Sequence, residues 1–518
     1  MNKFMIPEAW RPWALLSAMS ILVVLINIDY TAVNIALIPI SHELEANLNT
    51  LQWLLSGYIL TWAAAVVAAG QLADIFGKRR ILLLGLLLFA FASLWCGLAQ
   101  SETFLITGRL IQGLGGALCV PPLFTLIFSV FPENKQGLAI GALGTGVGLG
   151  LAMGPTFGGA IVEYYNWRWI FLINVPLCLI SLLITMMCVE KEPRRVSDHK
   201  FDLSGSLLLG ASLLFIVYGI NEMENWGLFS LSVWSVIGVG SALLAIFIYS
   251  SRNKSNRLIP FGLFSNKAFL GCIIGYTVVE VIFSIVLVTM GLYLQNVAGY
   301  SAYDSGIIFL SMTLAFGLFS PFGGRMVDHM DPRIPACLGI FFLLLGTTLA
   351  LLFTTRGELH LIVPSFILVG IGLGIALPSF NAAMMKTVDN KILSTASGVF
   401  VMFANLGGSL GVVFGTSMLV GLGEPILTDM THVYKMDLSS VQLDNLMTVY
   451  GSAYRELKLL TGMDVDLAVK LMNETFVQAN WWVMLTGVIL CLIAFAFSFY
   501  LIKIPVRQTE NKTVTNAI

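Results

Sequence analysis

Long apolar runs alternate with short polar breaks along the whole chain. Fourteen runs stand out, at about 13–39, 51–73, 81–99, 104–130, 136–163, 167–189, 203–221, 228–250, 268–297, 303–327, 334–354, 361–385, 394–421 and 480–503. A bilayer core about 30 Å thick takes about 20 apolar residues of helix, so each run can cross it. Taken in order as segments 1 to 14, they predict an all-α polytopic membrane protein. An even number of crossings places both termini on one side. The first run, Trp13 to Pro39, is too long for a signal-peptide core and carries polar residues, so it is expected to stay as a span.

Charge gathers in the breaks. Of the 28 Lys and Arg, 21 fall on the side of the termini, six fall opposite, and Arg109 lies inside segment 4. The positive-inside rule then puts both termini in the cytoplasm and the chain in the inner (plasma) membrane. Composition narrows the class further. With 57% hydrophobic and 11% charged residues the chain is no soluble globular protein. Its 28 basic residues nearly cancel 29 acidic ones, with no basic block, so no nucleic-acid partner is expected. The seven cysteines fall singly in apolar runs and the five histidines lie far apart, which predicts neither a disulfide framework nor a metal site. The longest break on the far side, 421–479, holds two stretches of helical apolar spacing near 438–459 and 464–478. They predict a small extracytoplasmic helical hairpin lying on the membrane face.

The chain repeats itself weakly. Gly70, Asp74 and Arg79 between segments 2 and 3 recur as Gly324, Asp328 and Arg333 between segments 10 and 11, at a constant offset of 254. Gly150, Gly154 and Gly158 of segment 5 are echoed by Gly407, Gly411 and Gly415 of segment 13, at an offset of 257. Both pairs keep the same membrane orientation, so the repeat is parallel. It predicts two six-helix bundles, 12–190 and 265–505, with 200–252 as an inserted pair of helices. Transporters built from repeats bind substrate between the halves near the midplane.

Three ionisable residues lie deep inside apolar runs: Asp29, Arg109 and Glu280. A charge at a helix centre costs at least ~2.5–3.5 kcal/mol, so such groups pair with one another or line water. At about 100° per residue, Asn27, Tyr30, Thr31 and Asn34 share one face of segment 1 and Asp29 points nearly opposite to Asn27 and Thr31. Asp29 reads as a titratable carboxylate coupled to transport, or as a buried acid bridging helices. Arg109 shares its face with Gln112 and Gly113. It stays charged, so it can hold a carboxylate ionised or bind an anion. Glu280 shares a stripe with Tyr276, Thr277 and Ser284, which suits a cation, a proton or a satisfied structural acid. Gly146, Gly150, Gly154 and Gly158 recur every four residues and give segment 5 a face open to close helix approach, with Pro155 adding a kink and Gly159 on the lipid side. No phosphate-loop pattern accompanies these glycines, so ATP-driven transport by this chain is unsupported.

Several of these stretches resemble the major facilitator superfamily, and within it the fourteen-helix drug:proton antiporter-2 family of the EmrB/QacA type. Gly70-Gln-Leu-Ala-Asp74-Ile-Phe-Gly77-Lys78-Arg79-Arg80 resembles the superfamily's loop signature after the second helix. Leu105-Ile-Thr-Gly-Arg109-Leu-Ile-Gln112-Gly113 is similar to the fourth-helix motif tied to proton coupling, and Gly146 through Gly159 to the fifth-helix antiporter motif. Asp29-Tyr-Thr31-Ala-Val-Asn34, Trp167-Arg168-Trp169 through Asn174-Val-Pro176, and Phe201-Asp202-Leu-Ser-Gly205 resemble signatures of the fourteen-helix branch. Asp331 stands where the second-half loop signature has glycine, Asn405 stands where many relatives carry a basic or polar residue, and Glu280 matches no signature.

The resemblance implies a proton-coupled exporter, an antiporter that rocks its two bundles about a central site, without cofactor or enzymatic step. It implies drugs or other amphipathic small molecules as substrates, with a dedicated exporter of a metabolite, lipid or siderophore as the alternative. A membrane-embedded enzyme or receptor is disfavoured, since no cluster of His, Asp or Ser appears near the membrane surface. Proton coupling and substrate contact would fall to Asp29, Tyr30, Asn34, Arg109, Gln112 and Glu280. Conformational gating would fall to Gly70, Asp74, Gly77, Arg79, Gly146, Gly150, Gly154, Pro155 and Gly158. Some members of that family also join a periplasmic adaptor and an outer-membrane channel.

Overall fold

The computed structural model describes residues 7–46, 51, 53–190, 201–227, 230–252, 254, 256–433 and 465–502. Among them are fourteen helices long and apolar enough to cross a membrane, one for each predicted run. In chain order they are α1 Arg11–Leu44, α2 Trp53–Phe76, α3 Lys78–Gly97, α4 Glu102–Val130, α5 Gln136–Tyr164, α6 Arg168–Cys188, α7 Leu203–Asn221, α8 Leu231–Arg252, α9 Lys267–Leu292, α10 Ala302–His329, α11 Arg333–Ala350, α12 Leu359–Lys386, α13 Leu393–Val433 and α14 Val465–Leu501. The polar breaks end them as expected: Ser101, Asp202, Asn266 and Ser301 each cap a following helix by accepting a backbone N–H.

Some boundaries move. α1 continues through Pro39 to Leu44 and ends at Glu45, a non-glycine residue at φ 49°. α13 runs on to Val433 and α14 starts at Val465, so the far-side connection is shorter than 421–479. Residues 465–478 therefore belong to the helix that continues as the last span, not to a hairpin on the membrane face. Its Leu471, Met472 and Phe476 are fully buried, which means its apolar stripe packs on protein. Asn473, Glu474 and Asn480 had cut the apolar run without breaking the helix. The companion stretch 438–459 lies outside the described residues.

In the first half α1 packs on α5 and α6, α4 on α2 and α3, and α3 on α6. In the second, α9 packs on α12, α13 and α14, α12 on α10 and α11, and α11 on α14. The glycine stripes do equivalent work in the two halves. Gly150 lies against the Val24 carbonyl and Asn27 Cβ of α1, and Gly407 lies against the Thr277 carbonyl and Glu280 Cβ of α9. α7 and α8 pack on each other, and α7 rests on α2 and α13.

Two seams join the halves, α5 with α10 and α2 with α13. Gly137 and Gly324 meet backbone to backbone, where a Cβ on either would overlap the other's carbonyl oxygen. Gly70 similarly leaves no room against the backbone of Ser394 and Thr395. These closest approaches lie at the ends of the helices nearest the termini.

Candidate functional site

α1 carries Asp29 into the interior of the first half, where both it and Arg109 of α4 are fully buried. Arg109 Nη1 donates to Asp29 Oδ2 at 2.5 Å and to Gln112 Oε1 at 2.8 Å, while Nε donates to the Leu54 carbonyl at 2.8 Å. Asp29 Oδ1 accepts from Gln112 Nε2 at 3.0 Å and Asn174 Nδ2 at 2.8 Å. Ser93 Oγ accepts from Gln112 Nε2 at 2.9 Å. The guanidinium lies 4.3 Å from the centre of the Tyr58 ring, within cation–π range. Five helices thus converge on one carboxylate: α1, α2, α3, α4 and α6.

Local sequence explains the convergence. Asp29 points away from Asn27 and Thr31, which turn to the glycine face of α5. A Cβ on Gly154 would run into the Thr31 side chain, whereas Gly159 has nothing within 4 Å. Helical backbone runs on through Ile173, whose N–H bonds the Trp169 carbonyl, joining the outer segment Arg168–Leu172 to Asn174–Cys188, and Asn174 places its amide on Asp29. The outer segment is tied down by Glu43, which accepts from Trp167 Nε1 at 2.6 Å and forms an ion pair with Arg168.

Of the candidates for coupling and substrate contact, the structure gathers Asp29, Arg109 and Gln112 and separates the rest. Tyr30 and Asn34 sit on an exposed side of α1, with Tyr30 37% exposed. Glu280 lies in the other half. Asn174, Ser93 and Tyr58 complete the chamber but were not singled out as site residues. Asn174 stood inside a quoted signature; Ser93 and Tyr58 gave no signal beyond a polar group in an apolar run.

The chamber is not repeated in the second half. Gly113 abuts the Tyr58 carbonyl as Gly370 abuts that of Met312, and Gly115 meets Phe89 as Gly372 meets Leu343. These contacts align Arg109 with Phe366, Gln112 with Val369, Tyr58 with Met312 and Ser93 with Thr347. Phe366, Val369 and Met312 are buried and apolar, and the buried α9 residues at that level, Ile282, Ser284, Ile285 and Val286, carry no charge.

A second cluster closes the seams near the termini. Asp74 accepts from the N–H groups of Ser394 at 3.0 Å and Thr395 at 2.7 Å, capping the first turn of α13. Its repeat counterpart Asp328 accepts from the N–H groups of Gly137 at 2.8 Å and Leu138 at 2.9 Å, capping α5. Each loop acid therefore holds a helix of the opposite half, at the helix end whose dipole favours an anion. Gly77 turns the loop at φ 102°, and Arg79 Nη2 donates to the Met186 carbonyl at 3.2 Å. Pro155 lies within α5. The inserted pair is clipped to the same end of α2: Gln71 Nε2 donates to the Arg257 carbonyl at 3.2 Å, and Gln71 Oε1 accepts from the Asp202 N–H at 3.3 Å. Burial alone would raise the Asp202 carboxyl. Hydrogen bonds from Lys254, the Gly205 N–H and Ser204 outweigh it and hold that carboxyl below the usual range.

Two helical halves related by a parallel repeat, with a buried charge in one half and paired caps at one end, are the architecture of a membrane transporter. Among the described residues no group of three or more His, Cys, Asp or Glu could hold a metal ion. The chain belongs to the Major Facilitator Superfamily, which it matches over residues 19–412. It is 31% identical over 397 residues to the multidrug resistance protein Stp of Mycobacterium tuberculosis, covering 76% of this chain and 73% of that protein. It is 29% identical to the tetracenomycin C resistance and export protein of Streptomyces glaucescens, covering 80% and 77%. The crystal structure of the human organic anion transporter MFSD10 shares the fold, with a TM-score of 0.61, 12% identity and coverage of 95% and 100%. The protein is thus a multi-pass membrane transporter of small molecules, not an enzyme.

Proposed function

We propose that this transporter is a proton-coupled antiporter that exports amphipathic small molecules across the cytoplasmic membrane, with both termini in the cytoplasm. The observation that carries the reading is the Asp29 chamber: one carboxylate, one fixed cation and three neutral hydrogen-bonding side chains, sealed in one half alone. A proton arriving on Asp29 cancels the charge that Arg109 faces, and Arg109, always charged, cannot carry the proton itself. Protonation therefore rewrites the strongest contact between α1 and α4. A buried pair that loses one partner is destabilised by about 3–5 kcal/mol, enough to drive a helix rearrangement. The membrane potential adds ~2.3 kcal/mol per charge per 100 mV.

The caps at Asp74 and Asp328, with the glycine contacts beside them, suit a state closed on the cytoplasmic side. Gly70, Gly77 and Arg79 shape that gate, and Gly146, Gly150, Gly154 and Gly158 give α1 its bearing on α5. In this cycle the outward-facing carrier takes up a proton, returns inward, and exchanges it for substrate. The dedicated-exporter alternative draws on the tetracenomycin exporter, a relative whose name ties it to one compound.

The decisive experiment uses proteoliposomes with an imposed pH gradient. Asp29→Asn, inserted and folded, should lose gradient-driven efflux while keeping gradient-independent exchange of substrate. Undiminished gradient-driven efflux by that variant would sink the reading.

A further inference from the structure

Glu280 is the mid-membrane carboxylate that the Asp29 chamber leaves unexplained. It stands 13 residues into α9, about 20 Å from the end nearest the termini at 1.5 Å per residue. Among the described residues it forms no ion pair, whereas Asp29, the other acid at this depth, is paired with Arg109. The side chain is half-buried, so it is neither sealed in the core nor fully open.

Its surroundings have a definite chemistry. Tyr276, one turn earlier on α9, meets the Phe400 ring edge-on at 4.5 Å between centres. Thr277 Oγ1 donates to the Phe403 carbonyl at 3.5 Å. Across from Glu280 and Ser284, α13 presents Gly407 and Gly408, and a Cβ on Gly408 would meet only the Ser284 hydroxyl, at 3.6 Å. Glu280 thus stands one turn from the partly exposed Tyr276 ring, with the glycine backbone of α13 packed against α9 beside it. The packing itself does not need the charge. In the first half the same contact with a glycine is made by Asn27, a neutral amide that donates to its own helix at Val23 O, 2.8 Å away.

We propose that Glu280, with Tyr276 of the α9–α13 seam, is the recognition point for the positive charge of organic-cation substrates. A carboxylate without a cationic partner in a medium of low dielectric gains most from a weakly hydrated, delocalised cation, and the Tyr276 ring adds cation–π attraction. The assignment rests on the export reading above. It separates two tasks between the halves: the proton on Asp29 of the first, the substrate's charge on Glu280 of the second.

The test measures binding of tetraphenylphosphonium and of neutral triphenylphosphine oxide to the purified, full-length transporter. Glu280→Gln should weaken the cation by about tenfold relative to the neutral probe. Glu280→Asp should retain the preference. Glu280→Asn, the residue that Asn27 supplies in the other half, should fold normally and also lose it. Equal weakening of both probes, or an unchanged ratio in the Gln and Asn variants, overturns the proposal and leaves the export reading standing if Asp29→Asn still abolishes gradient-driven efflux. A parent protein that binds neither probe and exports no substrate overturns both.

Discussion

At the scale of single residues, the chamber around Asp29 shows what a buried charge requires. Asp29 and Arg109 share a fully buried pair; both carboxylate oxygens and the Arg109 Nε and Nη1 groups are hydrogen-bonded, while Arg109 Nη2 is buried without a hydrogen-bond partner among the described residues. Removing one charge alone should therefore cost more than removing both. Arg109→Gln should lower stability by about 3–5 kcal/mol, and the double variant Asp29→Asn with Arg109→Gln should recover much of that loss. Thermal unfolding of the three purified variants in one detergent checks this; a double variant no more stable than Arg109→Gln would show that the ion pair is not the controlling contact. The two charged partners were visible in the sequence, because an ion inside an apolar run is rare. Their mutual contact was not, since 80 residues separate them and nothing in a one-dimensional pattern links α1 to α4. Tyr30 and Asn34 share helical spacing with Asn27, and the packing sets them on an exposed side of α1, outside the chamber.

Helices follow simpler rules, and most of them could be read directly. All fourteen spans were legible because bilayer thickness fixes the length of each apolar run. What escaped was the extension of α13 and α14, which depends on tertiary contacts. The glycine stripe of α5 was legible as a close-packing face, and its partner is α1. Gly154 and Gly159 make the sharpest contrast within that element. A side chain at Gly154 would collide with Thr31, and one at Gly159 meets open space. Overpacking costs ~1–3 kcal/mol, enough to hold α1 and α5 in the wrong relation. Gly154→Leu should insert, bind substrate and fail to transport, while Gly159→Leu should transport normally. Stability and flux assays on the pair settle the matter, and normal turnover by Gly154→Leu would remove α1 as the neighbour that must pass closely.

For the whole molecule, the two-fold repeat is kept at the gate and abandoned in the core. Asp74 and Asp328 make the same cap on the opposite half, with Ser394 and Thr395 standing where Gly137 and Leu138 stand in the other seam. The core instead has a charged chamber in one half and Phe366, Val369 and Met312 in the other. The two caps bond both seams alike, whereas the proposed coupling needs only one proton site, so symmetry is kept where both halves make the same contact. Because the caps exist only when the seams are shut, they bias one equilibrium between closed and open. A helix cap is worth about 0.5–2 kcal/mol, so Asp74→Asn and Asp328→Asn should each shift that equilibrium toward the open gate by roughly 2- to 30-fold. The seams are separate, so the double variant should show close to the sum of the two free energies. Distances between spin labels on α2 and α13, and on α5 and α10, report the populations, and efflux of chemically different substrates reports the consequence. Both single variants should slow every substrate by a similar factor. A changed order of substrate preference would instead place Asp74 or Asp328 in recognition, and unchanged distances would show that the caps do not set the state.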